Sequence, residues 1–312
     1  MSELSFTQYR DAVVTNCEKV IVGKTEVIEQ VLICYLCSGH ILLEDVPGTG
    51  KTMLLRAFAA TVGGSFKRVQ FTPDLLPSDL TGIHYYNQKT GDFQFRPGPI
   101  FANLILADEI NRATPRTQSS LLEAMAERQV TVDGTTFPME EPFMIMATQN
   151  PLESHGTFPL PEAQTDRFFM RLSLGYMERG QELAVLAGED TGSIIAELKP
   201  QVTAADTLAL RRALRDIEVS PDVAGYIMDI VTATRNDSRI RIGVSTRGAL
   251  ALYKAVQAAA ALAGRSYVIP EDVQALAPAV LAHRIVTAGA GRRAEDEAII
   301  RELVQSCAVP LE

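Results

Sequence analysis

The apolar positions of this chain fall into two kinds of run, and the kind changes partway along. In the first part, short continuous stretches alternate with segments of helical spacing. His40-Ile41-Leu42-Leu43-Glu44, Asn103-Leu104-Ile105-Leu106-Ala107 and Phe143-Met144-Ile145-Met146-Ala147 are apolar at successive positions, and Phe168 to Leu174 is similar. Runs of that length without alternation read as strands buried on both faces. A polar or glycine-rich turn follows each of the first three. Buried strands alternating with helices predict an α/β unit around a mainly parallel sheet.

After about Met177 the pattern becomes one of consecutive helices without strand signals. Thr203 and Asp206 have capping-box spacing ahead of Leu208-Ala209-Leu210. Ser220-Pro221 opens a second helix, with proline where its missing N–H is harmless. Ser245 caps a third, which runs through an alanine-rich stretch and stops at Gly264. Pro270 begins a fourth, in which Pro278 predicts a kink or a restart. The expected organisation is an α/β domain over residues 1–177 and a small helical bundle over residues 178–312.

Composition narrows the class. A chain of 312 residues with 46% hydrophobic content can bury a sizeable core, and its length suits two domains. It contains no apolar run of about 20 residues, so no stable membrane insertion is expected. Met1 to Arg10 lack the apolar stretch of a signal peptide, which leaves a soluble cytoplasmic protein as the expectation. Four cysteines are too few for a disulfide framework at this size. Cys34 and Cys37 read as small buried core residues, because His40 alone does not complete a metal site.

Three segments carry chemistry. Ile41 to Glu44 runs into Asp45-Val46-Pro47-Gly48-Thr49-Gly50-Lys51-Thr52 and then a helix beginning Met53-Leu54-Leu55. A strand, a glycine-rich turn and a helix form the context of a phosphate loop. Gly48 and Gly50 let backbone N–H groups point inward, the helix N-terminus adds partial positive charge, and Lys51 reaches the terminal phosphates. Thr52 offers its hydroxyl to Mg²⁺. The usual first glycine is Asp45 here, which the turn tolerates if position 45 still belongs to the strand and Pro47-Gly48 makes the bend. Second, the strand Leu104 to Ala107 ends in Asp108-Glu109. Two carboxylates at the tip of a buried strand are costly unless a cation or donors await them. Asp108 suits the Mg²⁺ shell, and Glu109 suits a base that orients and polarises the attacking water. Third, Met146-Ala147-Thr148-Gln149-Asn150-Pro151 ends a strand in amides. Asn150 can position that water or read the γ-phosphate, although Asn-Pro alone is often a plain turn.

With these residues in place, the chain resembles the MoxR family of AAA+ ATPases, in the helix-2-insert branch related to the magnesium chelatase ATPase subunit. The resemblance runs from about Val20 to Val286. Its most specific stretches are Leu43 to Thr52, Leu106 to Ala113, Ala147 to Pro151, Leu160 to Phe168 and Gly243 to Arg247. It implies a P-loop AAA+ core with a parallel sheet between helices, followed by a small all-α lid. It implies ATP and Mg²⁺ as cofactors, Asn150 as sensor 1, Arg167 as an arginine finger reaching the neighbouring subunit's ATP, and Arg247 as the lid's sensor-2 arginine. Pairing with Asp166 or Glu162 is the alternative for Arg167, and a solvated surface charge is the alternative for Arg247. Val20, Ile21, Val22 and Gly23 match the segment that cups adenine, a role compatible with core packing. The family also implies a homo-oligomer in the form of a hexameric ring, and a partner carrying a von Willebrand factor A (VWA) domain.

The branch-defining insert would lie around Leu76 to Ala102. There Tyr85, Tyr86, Phe93 and Phe95 flank Asn87 to Gly91 in a hairpin pattern, and a second hairpin is expected from Arg128 to Pro142, turning at Asp133-Gly134. Their aromatics could grip a client polypeptide, but cross-strand packing is the simpler account. A nucleic-acid motor is the rival class. The hairpins carry formal charges of +1 (residues 84–101) and −2 (residues 128–142) in a chain of net charge −9. Effective binders make roughly 6–10 phosphate contacts, which these loops do not supply. The expected function is therefore a remodeller or activator of a partner protein, with metal or cofactor insertion as one outcome. A slow nucleotide switch is a further alternative, although Glu109, Asn150 and Arg167 complete the parts for hydrolysis.

Overall fold

The computed structural model describes residues 4–45, 48–149, 156–177, 179–186, 191–287 and 293–310. Its first half contains α1 (Phe6–Glu18), α2 (Thr25–Leu36), β1 (Ile41–Glu44), α3 (Lys51–Val62), β2 (Phe66–Gln70), α4 (Pro77–Thr81), β3 (Gly82–Asn87) and β4 (Asp92–Pro97). There follow β5 (Leu104–Asp108), α5 (Pro115–Glu127), β6 (Gln129–Val132), β7 (Thr135–Pro138), β8 (Met144–Gln149), α6 (Glu162–Thr165) and β9 (Met170–Leu172). Five strands form one parallel sheet in the order β2-β5-β8-β1-β9.

The continuous apolar runs are explained by where alternate residues go. Ile41, Leu43, Leu104, Leu106, Met144 and Met146 enter the core under α1, α2 and α3. Leu42, Ile105, Ala107, Ile145 and Ala147 enter a second core, under α4 and α5. Each strand side is apolar because helices cover both faces. The sequence pattern did not reveal β2. Its residues Phe66-Lys67-Arg68-Val69-Gln70 are mostly exposed, because β2 is the sheet edge and only Val69 is buried.

The second half contains α7 (Arg179–Leu186), α8 (Thr191–Glu197), α9 (Ala204–Ala213), α10 (Pro221–Asn236), β10 (Ile240–Ile242), α11 (Thr246–Leu262), α12 (Pro270–Leu281), β11 (Val286–Thr287) and α13 (Arg293–Ser306). The caps are as expected. Ser245 Oγ accepts from the Gly248 N–H at 3.2 Å, the Thr203–Asp206 box is closed on both sides, and Gly264 takes φ +79° just past α11. Alanines on α11 bury their faces in the same core that lies under the sheet, so the two halves share one apolar interior. Tyr9 Oη and Thr207 Oγ1, 2.6 Å apart, join α1 to α9 inside it. The expected division at 177/178 falls on Glu178, outside the described residues.

Three expectations are corrected. The helical half is not free of strands, since β10 and β11 pair antiparallel; elements of three and two residues are too short to leave a periodicity. Pro278 does not make α12 restart, since the helix runs through it. A mid-helix proline costs about 3 kcal/mol or more, and burial of Val273, Leu276, Ala277, Val280 and Leu281 around it outweighs that. Cys34 is buried as expected, but Cys37 is only half-buried at the end of α2, with its thiol donating to the Lys254 carbonyl oxygen.

Both hairpins form. Tyr86 pairs with Phe93 across β3 and β4, and Asp133-Gly134 turns β6 into β7 with φ of +50° and +80°. The hairpins also touch each other. Phe95 stacks on Phe137 with centroids 4.3 Å apart, and His84 Nδ1 lies 2.8 Å from Asp133 Oδ2. Packing between the hairpins therefore accounts for Phe95, while Tyr86 and Phe93 meet edge-on across the strands with centroids 5.5 Å apart and remain 54% and 73% exposed.

His40 serves the fold. Its buried ring accepts from the Ile145 N–H at Nδ1 (2.9 Å) and faces the Met125 carbonyl oxygen at Nε2 (3.2 Å), so it is neutral with its proton on Nε2. Burial, with Arg128 nearby, lowers its pKa from 6.5 to about 3. His283 is lowered well below 6.5, also by burial first and Arg284 second. Below pH 6.5 the unfolded chain takes up these two protons and the folded chain does not. Stability is thus complete above that pH and falls on acidification, by about 2 kcal/mol for His40 between pH 7 and 5 and in the same direction for His283. Urea unfolding at the two pH values measures this, and His40→Gln should reduce the loss by about 2 kcal/mol. An unchanged pH slope in that variant would refute the assignment.

Candidate nucleotide-binding site

The phosphate-loop segment lies between β1 and α3. Gly48 and Gly50 take φ of +87° and +90°, and a Cβ on either would meet nothing within 4 Å. Glycine is therefore required there by backbone conformation, and the space above stays open for an anion. Gly50 is the N-cap of α3, which places Lys51, Thr52 and Met53 in its first turn. Lys51 Nζ donates to the Asp45 carbonyl oxygen at 3.1 Å. Asp45 itself lies just past β1, not within it. Its buried carboxylate accepts from Ser173 Oγ, from the Leu174 N–H at 2.7 Å and from the Gly175 N–H at 3.2 Å. The residue at the usual glycine position thus ties the loop to the segment leaving β9. Pro47 lies outside the described residues.

The acidic pair sits at the end of β5, with Glu109 at φ +57°. Thr148 Oγ1, on neighbouring β8, donates to Asp108 Oδ1 at 2.6 Å and accepts from the Glu109 N–H at 2.8 Å. One hydroxyl therefore fixes both residues. Asp108 Oδ2 accepts from Arg68 Nη2 at 2.6 Å, while Glu109 Oε2 accepts from Gln70 Nε2 at 2.7 Å and Arg112 Nη1 at 3.1 Å. Gly48 to Met53, Asp108, Glu109, Thr148, Arg68 and Gln70 line one cleft of about 410 Å³. Sequence reasoning missed Arg68 and Gln70, which sit on the unread edge strand. The only available signal was their spacing of two, which puts both on one face of an extended segment. Asn150 lies outside the described residues.

The other expected residues are elsewhere. Val20 and Ile21 are buried, while Val22 is 57% exposed beside Gly23 at φ +70°, and this segment does not line the 410 Å³ cleft. Arg167 and Arg247 do not line it either. They share a second cavity of about 770 Å³ between the sheet domain and the helices. Arg167 Nη1 donates to the Leu122 carbonyl oxygen at 2.8 Å. Arg247, in the first turn of α11, takes Asp166 at 3.1 Å, and Arg284 Nε takes the same carboxylate at 3.0 Å. Burial lowers the Arg284 pKa to about 10, with Asp166 opposing the shift, so its charge persists at neutral pH. Asp166 is thus held by the helical half, and Arg247 is neither adjacent to its own phosphate loop nor an unpaired surface charge.

An open cradle with positive-φ glycines, one mobile ammonium, a threonine hydroxyl and a strand-end carboxylate fit Mg²⁺-ATP. Residues 40–170 match the ATPase family associated with various cellular activities (AAA), and residues 232–303 match the AAA lid domain. YeaC of Bacillus subtilis is 48% identical, covering 96% of this chain and 94% of its own. Chaperone MoxR1 of Mycobacterium tuberculosis is 40% identical, covering 94% and 80% respectively. A crystal structure of a Cytophaga hutchinsonii protein assigned as an ATPase superposes with a TM-score of 0.88 at 38% identity, over 98% of this chain and 97% of that one. The chain belongs to the MoxR family of AAA+ ATPases. Among the described residues, no helix is long and apolar enough to cross a membrane.

Proposed function

We propose that this protein binds Mg²⁺-ATP in the 410 Å³ cleft and hydrolyses it to ADP and phosphate. The observation that carries this reading is that the Gly48 to Met53 loop and the Asp108-Glu109 pair line the same cleft. Backbone N–H groups of Gly48, Thr49 and Gly50 receive the phosphates, with Pro47 among the binding residues and Lys51 supplying the mobile positive charge. Thr52 and Asp108 hold Mg²⁺, which when bound neutralises charge developing on the phosphates. Glu109 orients and polarises the attacking water, with Asn150 assisting. Val22 and Gly23 contact the adenine.

Arg167 and Arg247 act on the nucleotide of an adjacent copy. Their shared place in a cavity separate from the cleft supports this, because within one chain they do not face the phosphate loop. The working form is then a homo-oligomer, read as a hexameric ring, in the cytoplasm. It remodels or activates a partner protein, read as one with a VWA domain, and metal or cofactor insertion is a possible output. The name of one relative, chaperone MoxR1, supports the remodelling role. A nucleic-acid role is disfavoured by the hairpin charges.

Lys51→Ala tests the loop. It should weaken ATP binding by at least roughly tenfold, since a charge-assisted contact to phosphate contributes about 1.5–3 kcal/mol. The fold should survive, because among the described residues the Lys51 ammonium donates to a backbone carbonyl and to no buried side chain. Calorimetric titration reads the affinity, and wild-type affinity in this variant would refute the site.

A further inference from the structure

Asp108 is the carboxylate that the proposed function assigns to Mg²⁺, and both its oxygens are already engaged. Oδ1 accepts from Thr148 Oγ1 at 2.6 Å. Oδ2 accepts from Arg68 twice, from Nε at 3.1 Å and from Nη2 at 2.6 Å. Arg68 reaches it along the sheet edge, since Gln70 pairs with Asp108 in the β2–β5 register and Arg68 lies two residues away on the same face. The same Nη2 donates to Gln70 Oε1 at 3.1 Å, and Gln70 holds Glu109. The two sides of this ion pair differ in freedom. The Asp108 side chain is 14% exposed and pinned by Thr148, whereas the Arg68 side chain is 50% exposed on an edge strand.

We propose that Arg68 is a positioning residue whose guanidinium stands in for the divalent cation while the cleft is empty, and that the metal must displace it from Asp108. The inference rests on the Mg²⁺-ATP reading of the cleft. Two adjacent carboxylates at a strand tip repel each other and lose hydration, so an empty site needs a counter-charge. Arg68 supplies it through two N–H donors on Oδ2, while Thr148 holds Oδ1. Oδ2, accepting two N–H groups, has no lone pair left for a metal, and the guanidinium charge held at 2.6 Å opposes a second cation at the remaining lone pair of Oδ1. The metal therefore competes with Arg68, and it prevails because it carries twice the charge while a half-exposed ion pair is weak. Arg68 keeps Asp108 aimed at the metal position between turnovers and weakens metal binding in exchange.

The test is binding, read apart from turnover. Free Mn²⁺ is followed by electron paramagnetic resonance during titration in the presence of a non-hydrolysable ATP analogue. Arg68→Ala should bind Mn²⁺ roughly threefold to tenfold more tightly than wild type, as expected when a weak competing ion pair is removed. Arg68→Lys, which retains the charge, should stay closer to wild type. In an Asp108→Asn background the Arg68→Ala gain should vanish, because the shared oxygen no longer carries charge. Unchanged affinity in Arg68→Ala would reduce the contact to a surface ion pair and overturn the proposal. Weaker Mn²⁺ binding, accompanied by weaker analogue binding, would make Arg68 a phosphate ligand and also overturn it. If wild type bound no Mn²⁺ with the analogue, the Mg²⁺-ATP reading itself would fall. A thermal midpoint within a few degrees of wild type for Arg68→Ala establishes that the comparison is between folded proteins.

Discussion

In the Glu109→Gln protein, ATP is expected to bind as tightly as in wild type while turnover falls by roughly 10²- to 10⁴-fold, the range for loss of a positioned base. The structure explains why binding and hydrolysis should separate. Glu109 Oε2 accepts from Gln70 and Arg112, and a glutamine carbonyl oxygen can accept the same two donors, so the strand tip keeps its shape. What is lost is the ability to take charge from water. Glu109 is also held at φ +57°, a conformation the amide shares without added strain because the backbone is unchanged. Nucleotide affinity by calorimetry and phosphate release in steady state give the two numbers. Hydrolysis at the wild-type rate would move the base to another residue.

Arg167→Ala should lower hydrolysis by roughly 10³- to 10⁵-fold, the usual range for an arginine finger, without weakening ATP binding. Among the described residues the guanidinium holds the Leu122 carbonyl, so its removal should not unfold the chain. The decisive version mixes subunits. Arg167→Ala chains have an intact cleft, and Lys51→Ala chains have an intact Arg167 but a crippled cleft. Each is inactive alone. In mixed assemblies, some intact clefts face a neighbour that still offers Arg167, and activity should partly return. No recovery, in mixtures shown by native mass spectrometry to contain both chains, would confine Arg167 to its own subunit or to packing.

The candidate phosphate loop and the acidic pair could be picked out in the chain because their motifs are local. Asp45 to Thr52 and Asp108-Glu109 are each contiguous, and each follows a run whose apolarity marks a buried strand. The residues that hold the acidic pair were not legible. Arg68 and Gln70 stand on a strand with one buried residue, and their partners lie across the sheet. Thr148 was visible within its strand, but its hydroxyl acquires a role only once β8 lies beside β5.

By itself the sequence determined the buried strands β1, β5 and β8, the caps of α9, α10 and α11 and both hairpins, all properties of short-range periodicity and backbone preference. The fold decided what depends on strand order and domain packing. It placed Asp45's carboxylate under the segment after β9, where buried backbone N–H groups needed an acceptor. It also gathered Arg128, Arg167, Arg211, Arg212, Arg215, Arg247, Lys254 and Arg284 around one cavity in a chain of formal charge −9. No window of the sequence shows that concentration, because the residues come from five separate segments and meet only when the helical bundle closes on the sheet. The same closure separates Arg167 and Arg247 from their own phosphate loop, since the sheet's strand order, not distance along the chain, sets which edge each segment occupies.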